Sequence, residues 1–138
     1  MKAKKAIKWI CIVLAVLTAA LAFIIGRSEY VKKYRITDID ASSSLSGEYQ
    51  LMYQNVGEPD FPFGYAHVRL VLKKGNSEIS KCRFDVANDG CSPTAEQWKA
   101  EWKDDCVEVT ISGDEQSDCF YTLYFDGKTE STELETQY

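Results

Sequence analysis

The feature that most constrains this chain is an uncharged run of seventeen residues from Trp9 to Ile25 (WICIVLAVLTAALAFII). With Ile7 and Gly26 at its ends, the run reaches the ~20 residues that cross ~30 Å of hydrocarbon at ~1.5 Å per residue. We therefore predict a transmembrane helix over residues 9–26, which contacts the lipid bilayer, and a basic cytoplasmic tail over residues 1–8.

A cleaved signal peptide is the alternative interpretation of the same run. Ala20, Leu21 and Ala22 form an A-x-A-like cleavage site. The apolar run continues past that site through residues 23–25, and it is longer than the ~7–15 residues of a secretory apolar region. An uncleaved signal-anchor is therefore favoured.

The orientation of the span depends on more than its flanking charges. Four lysines precede the span and four Lys/Arg residues follow it closely, so the positive-inside count is almost tied. The N-terminal tail is too short to be a translocated domain. The long C-terminal part carries four of the five cysteines, which suits an oxidising side of the membrane. We predict a single-pass protein of the cell membrane, with the N-terminus in the cytoplasm and the C-terminal domain outside.

The charge distribution excludes one class of partner. The chain has a net charge of −5, but residues 1–35 contain eight Lys/Arg and one acidic residue, whereas residues 36–138 contain eight Lys/Arg and twenty acidic residues. A nucleic-acid module needs a basic face that neutralises phosphates, and this acidic part has the opposite sign. We expect no nucleic acid and no cofactor as partners; a membrane or envelope protein remains a possible partner.

From residue 47 onward the chain alternates between apolar and polar residues, which is typical of strands with one buried face. Six runs show strand character, with apolar positions at Tyr49, Leu51 and Tyr53; Ala66, Val68, Leu70 and Leu72; Cys82, Phe84 and Val86; Trp98, Ala100 and Trp102; Val107, Val109 and Ile111; and residues 119–125, which are apolar on both faces. Polar turns separate the runs. We predict an all-β fold over residues 47–126, an antiparallel β-sandwich or open barrel of about six strands. A juxtamembrane stalk over residues 27–46 precedes it, and a polar tail over residues 127–138 follows it.

Four segments of this β-domain carry a resemblance to other proteins: GEPDFPFG at residues 57–64, VANDG at 86–90, VTISG at 109–113 and YTLYFD at 121–126. Together they resemble small single-span membrane proteins of clostridia-like Gram-positive bacteria with an extracytoplasmic β-domain of unknown function. The resemblance covers residues 47–126 and implies no activity. The four cysteines of this part of the chain do not belong to the resembling pattern.

Cys82, Cys91, Cys106 and Cys119 are an even number of cysteines on the predicted outer side, and four cysteines allow three pairings. Their wide spacing does not match the C-x2-4-C clusters of zinc sites. If the strands form a meander, Cys119 lies opposite Ser112, near the end of the sheet where Cys91 begins the long loop. We therefore favour a Cys91–Cys119 disulfide with Cys82–Cys106 as the second pair, and buried thiols as the alternative.

Phe61, Phe63 and Tyr65 interleave with prolines and a glycine in the segment at residues 57–64. An exposed aromatic loop of this kind binds a sugar ring or a peptide. More often such a loop folds over the open end of a sandwich, and this is the interpretation we favour. The Phe61–Pro62 bond is a candidate for a cis peptide.

Five residues on loops and strand ends form the strongest candidate for a metal site. Carboxylate and amide oxygens at one end of a sandwich can hold Ca²⁺. The five residues are Asp85, Asn88, Asp89, Asp104 and Asp105. The segment around Asn88 is not an EF-hand loop and is first of all a turn, so we favour a solvated acidic rim without metal.

We identify no catalytic residues in the sequence. His67 is the single histidine, and without a clustered serine or cysteine it does not form a Ser-His-Asp or Cys-His arrangement. It alternates with Ala66 and Val68, so we expect it on the solvent face of a strand. The favoured function is a non-catalytic binding, sensing or accessory module of the cell envelope. A carboxylate-dependent envelope hydrolase and an immunity or inhibitor protein are the alternatives.

Overall fold

A computed structural model describes residues 2–133 and divides the chain into two units, which meet between Tyr34 and Arg35. The first unit is the helix α1 (Lys2–Tyr34). Its most apolar window has a mean hydropathy of 2.7, and none of that window is buried within the chain. Within the described residues, α1 is the one helix long and apolar enough to cross a bilayer, so the predicted N-terminal apolar helix is confirmed.

The second unit consists of eight strands in two antiparallel sheets of four. Sheet A contains β1 (Ile36–Ser43), β2 (Tyr49–Val56), β3 (Tyr65–Lys74) and β4 (Ser77–Ala87). Sheet B contains β5 (Trp98–Trp102), β6 (Cys106–Gly113), β7 (Gln116–Tyr124) and β8 (Thr129–Glu133). In both sheets the strands follow one another in chain order, as in a meander, and a 3₁₀ turn (Ala95–Gln97) leads into β5.

The apolar faces of the two sheets bury one shared core, the arrangement found in a β-sandwich. The core side chains alternate along each strand, as the period-two pattern predicts. They are Leu51, Tyr53, Val68, Leu70, Leu72 and Val86 from sheet A, and Val107, Val109, Ile111, Tyr121 and Leu123 from sheet B. Two indoles of β5 also bond to β1 across the sheets. Trp98 Nε1 donates to Asp40 Oδ2 and Trp102 Nε1 donates to Ser42 Oγ, each at 2.9 Å.

The prediction of about six strands is wrong by two, because β1 and β8 lie in segments expected to be the stalk and the polar tail. The two isoleucines of β1, Ile36 and Ile39, are three residues apart and so show no period of two. A bulge between Asp38 and Asp40 accommodates this spacing in the strand. Strand β8 (TESTE) has no apolar side chain and is recognised only by its pairing with β7. The first part of the expected stalk continues α1, and residues 134–138 of the expected tail lie outside the described residues.

The turns of the second unit lie at two opposite ends of the sheets. At one end, Gly90 N donates to Gly64 O at 3.0 Å and Glu115 N donates to Ala87 O at 3.2 Å. We call this the loop end. At the other end, Gly75 N donates to Glu48 O at 3.3 Å and Phe125 N donates to Asp105 O at 2.9 Å. We call this the hairpin end.

Candidate functional site

The loop between β2 and β3, residues 57–64, carries the most exposed aromatic side chains of the loop end, and we call it the aromatic loop. Phe61 is 95% exposed and Phe63 is 73% exposed, and Tyr65, the first residue of β3, is 55% exposed. The expectation that these rings fold over the core is therefore wrong. The Phe61–Pro62 peptide bond is cis, as proposed from the sequence.

The connection between β4 and β5 is fastened at the same end of the sheets by a buried amide. Asn88 is 2% exposed, and its Oδ1 accepts hydrogen bonds from Gln97 Nε2 at 2.6 Å and from Asp114 N at 3.4 Å. Its Nδ2 donates to Cys91 O at 3.2 Å. This buried amide holds the connection in place beside the aromatic loop, whose backbone at Gly64 accepts a hydrogen bond from Gly90 N.

Backbone hydrogen bonds fix the shape of the aromatic loop. Asp60 N donates to Tyr65 O at 3.0 Å, and Gly64 N donates to Asp60 O at 2.8 Å. Gly64 lies so close to this turn that a Cβ atom there would come within 2.8 Å of the Asp60 carbonyl oxygen. The loop is therefore a folded element that presents its rings in a defined geometry.

A cluster of Asp60, His67 and Asp85, which we call the histidine cluster, joins the aromatic loop to sheet A. His67 Nδ1 lies 2.7 Å from Asp85 Oδ1, and His67 Nε2 lies 3.3 Å from Asp60 Oδ1. The hydrogen bond with Asp85 raises the pKa of His67 above its usual value. Partial burial opposes this effect and the bond with Asp60 adds to it. The protonated imidazole donates from both nitrogens, and so it bridges β4 and the loop.

His67 was expected to be a plain surface residue, and the sequence analysis missed its two carboxylate partners. In the structure its side chain is 40% exposed, but it lies directly opposite Asp85 in the β3–β4 ladder. The alternation in β3 and β4 places His67 and Asp85 on the same outer face. The bulge at Ile79 then sets the register that makes them direct partners.

Two arginines lie next to the histidine cluster on the outer face of sheet A. Arg69 and Arg83 are direct cross-strand neighbours, and like charges in this position destabilise a sheet. Arg69 Nε donates to Gln54 Oε1 at 2.6 Å, and Gln54 Nε2 donates to Asp38 Oδ1 at 2.5 Å. Within residues 2–133, neither guanidinium forms an ion pair, although the charge of Arg69 contributes to lowering the pKa of Glu78.

The five candidate calcium ligands do not come together. Asp85, Asn88 and Asp89 lie at the loop end, whereas Asp104 and Asp105 form the β5–β6 turn at the hairpin end. The expectation that they are neighbours is wrong because β4 and β5 belong to different sheets. The eight residues of β6 separate the two ends by ~26 Å at ~3.3 Å per residue. No group of three metal-ligating side chains occurs among the described residues.

The four cysteines of the predicted disulfides are thiols in the structure. No disulfide joins any of the five cysteines, all of which lie within the described residues. Cys119 lies opposite Ile111 rather than Ser112, and Cys91 is exposed in the β4–β5 connection. Burial raises the pKa of the Cys82 thiol to about 11, and it also raises the pKa of Cys106. Cys82 and Cys106 therefore have the character of buried thiols.

The surface of the described residues includes two shallow depressions. One, of about 400 Å³, lies on the outer face of sheet B and contains Glu101 and Glu108 on adjacent strands. The other, of about 390 Å³, lies at the hairpin end against Tyr49, Trp102 and Phe125. The hydrogen bond from Lys99 and the nearby Lys103 hold the pKa of Glu101 below its usual value, so this carboxyl is poorly suited to act as a general acid.

Comparisons with protein-family models, with curated proteins and with solved structures find no match to this chain. The assignment of a function therefore depends on the geometry of the chain itself.

Proposed function

We propose that the protein is a membrane-anchored, extracytoplasmic and non-catalytic binding or accessory module of the cell envelope. In this proposal α1 is the single-pass anchor, and the aromatic loop with Tyr65 is the binding surface. The observation that carries the proposal is the exposure of Phe61 and Phe63 on a loop that is fastened at both sides.

Two physical arguments support this surface as a binding site. Large aromatic rings in water leave apolar area unburied, and a patch of such rings is typical of an interaction site. A loop held by backbone hydrogen bonds and by the histidine cluster is already ordered before it binds. Binding then costs less conformational entropy than it would for a flexible loop.

The hydrolase alternative finds less support. A glycosidase of the usual type needs two carboxyl groups in a cleft, one of them with a raised pKa. Glu101 and Glu108 share a shallow depression, but the pKa of Glu101 is lowered by its lysine neighbours. The histidine cluster has no hydrogen-bonded serine or cysteine among the described residues, so it has no nucleophile to activate.

Site-specific photo-cross-linking in the cells that produce the protein tests the proposed surface. A photoreactive phenylalanine analogue replaces Phe63 in one variant and Phe120 in the control. Phe120 is on the outer face of sheet B and is 39% exposed. We expect a discrete adduct from position 63 and none from position 120. Equal cross-linking from both positions, or none from position 63, would contradict the proposed surface.

A further inference from the structure

We infer that the aromatic loop docks on the surface of the same bilayer that α1 crosses, with the rings of Phe61 and Phe63 at the level of the lipid headgroups. This inference rests on the proposed function, because it names the partner of the same surface. Four observations carry it: the entry point of the chain, the length of the connection, the chemistry of the loop, and the distribution of charge.

The chain enters the β-domain beside the aromatic loop. The carbonyl oxygen of Arg35, the first residue of the domain, accepts a hydrogen bond from Gly57 N at 2.7 Å. Ile36 then pairs with Val56 at the start of β1. The hairpin end begins only after the eight residues of β1, which span ~26 Å at ~3.3 Å per residue. The aromatic loop therefore lies at the end of the domain where the chain from α1 enters it.

The connection to the apolar run is short enough to bring the loop to the headgroups. From Gly26 to Arg35 the chain has nine steps, which as a helix rise ~13 Å at ~1.5 Å per residue. The headgroup layer occupies ~5–8 Å on each side of the hydrocarbon. Phe61 is four residues beyond Gly57, and an extended segment of four residues spans up to ~13 Å. The length of chain between the apolar run and the domain thus allows the loop to reach the headgroups.

Both the β-domain and the end of α1 expose residues of the kind that prefers a lipid interface. Aromatic side chains concentrate at the boundary between hydrocarbon and water. Phe61, Phe63 and Tyr65 supply three exposed rings from the domain, and Tyr30 and Tyr34 supply two more from the end of α1. The hairpin end exposes one large apolar side chain, Leu45.

The charge of the loop predicts which lipids are compatible with docking. Glu58 and Asp60 lie in the loop, Asp89 follows β4, and Asp85 faces His67. The loop itself has no basic residue, so anionic headgroups repel it, although Arg27, Lys32, Lys33 and Arg35 follow the apolar run. We therefore expect docking on zwitterionic lipid, driven by the aromatic rings and without any requirement for anionic lipid.

Fluorine NMR on the full chain in phosphatidylcholine nanodiscs tests the inference. 4-Trifluoromethylphenylalanine replaces Phe63 in one sample and Leu45 in the matched control, which is fully exposed at the opposite end. A lipid with a nitroxide on its headgroup is then added. We expect the resonance at position 63 to broaden severalfold more than that at position 45.

Three outcomes would overturn the inference. The first is equal broadening at positions 63 and 45. The second is broadening at position 63 that appears only when phosphatidylglycerol is added. The third is a photo-cross-link from position 63 to a protein and not to lipid. That third outcome would leave the proposed binding surface intact, so the inference and the proposed function fail separately.

Discussion

At the scale of single residues, His67 links the pH of the surroundings to the attachment of the aromatic loop. The hydrogen bond with Asp85 raises the pKa of His67 in the folded state above the unfolded value of about 6.5. A raised pKa means that the contribution to stability is fully present below pH ~6.5 and is lost as the pH rises through the folded pKa. We expect an NMR titration of the imidazole to show this raised value.

Removal of one carboxylate tests the cause of that shift. Asp85→Asn removes the charge and the acceptor nearest to His67, so the pKa of His67 should fall toward its usual value. Asp89→Asn is the matched control, because Asp89 is an exposed acid on the adjacent turn with φ of 50°, a conformation that asparagine tolerates. An equal fall of the His67 pKa in both variants would show that general charge, and not the hydrogen bond, causes the shift.

Truncation of Leu70 tests its assignment to the core that the two sheets share. Its side chain is fully buried in the cluster formed by sheets A and B. Leu70→Ala should lower the free energy of unfolding by about 2–5 kcal/mol through lost burial and a residual cavity. Urea unfolding of the full chain in detergent, followed by tryptophan fluorescence, measures this change.

The control for that experiment is Leu45→Ala. Leu45 is fully exposed in the β1–β2 turn, so its truncation should change the free energy of unfolding by less than about 0.5 kcal/mol. A similar cost for both leucines would contradict the assignment of Leu70 to the core.

At the scale of elements, the junction between the aromatic loop and the β4–β5 connection depends on Gly90. This residue has φ of +70°, and a Cβ atom there would overlap the carbonyl oxygen of Pro62. Gly90→Ala therefore combines the left-handed strain of ~1–2 kcal/mol with overpacking of ~1–3 kcal/mol. We expect the aromatic loop to shift and the protein to lose more stability than strain alone explains.

Gly75→Ala separates the two contributions. Gly75 also has a positive φ, +56°, but no atom lies within 4 Å of the position of its Cβ. It should therefore show the strain alone, about 1–2 kcal/mol, in the same urea unfolding experiment. If Gly90→Ala costs no more than Gly75→Ala, the contact with Pro62 does not constrain the loop.

The strands that were predictable from sequence are those in which alternation is unbroken. The predicted runs of β2 to β6 show apolar residues at every second position and that of β7 is apolar on both faces, and the structure confirms all six as strands. Bulges explain part of what was missed. The bulge in β1 disrupts its alternation. In β4, Ile79 is an extra residue that shifts the pairing with β3 by one position. Without this bulge, a ladder from the Gly75–Asn76 turn would place His67 opposite Phe84. With the bulge, His67 lies opposite Asp85.

The proposed binding surface was predictable from the sequence only in its composition. The sequence shows Phe61, Phe63 and Tyr65 as a group, but their exposure depends on how the segments of the loop end are arranged. The neighbouring β4–β5 connection is fastened by the buried amide of Asn88, whose partners Gln97 and Asp114 are nine and twenty-six residues away. Interactions between residues this far apart leave no periodic signal in the chain.

At the scale of the whole molecule, the exposed thiol of Cys91 reports on which side of the membrane the β-domain lies. If the domain is outside, a membrane-impermeant maleimide added to intact cells should label Cys91. Cys82 and Cys106 should react slowly, because burial raises the pKa of both thiols and leaves little thiolate. Cys11 lies within the predicted span and should stay unlabelled.

Cys91→Ser should remove most of the label, whereas Cys119→Ser should keep it. Labelling that appears only after the membrane is permeabilised would place the domain in the cytoplasm and reverse the predicted orientation.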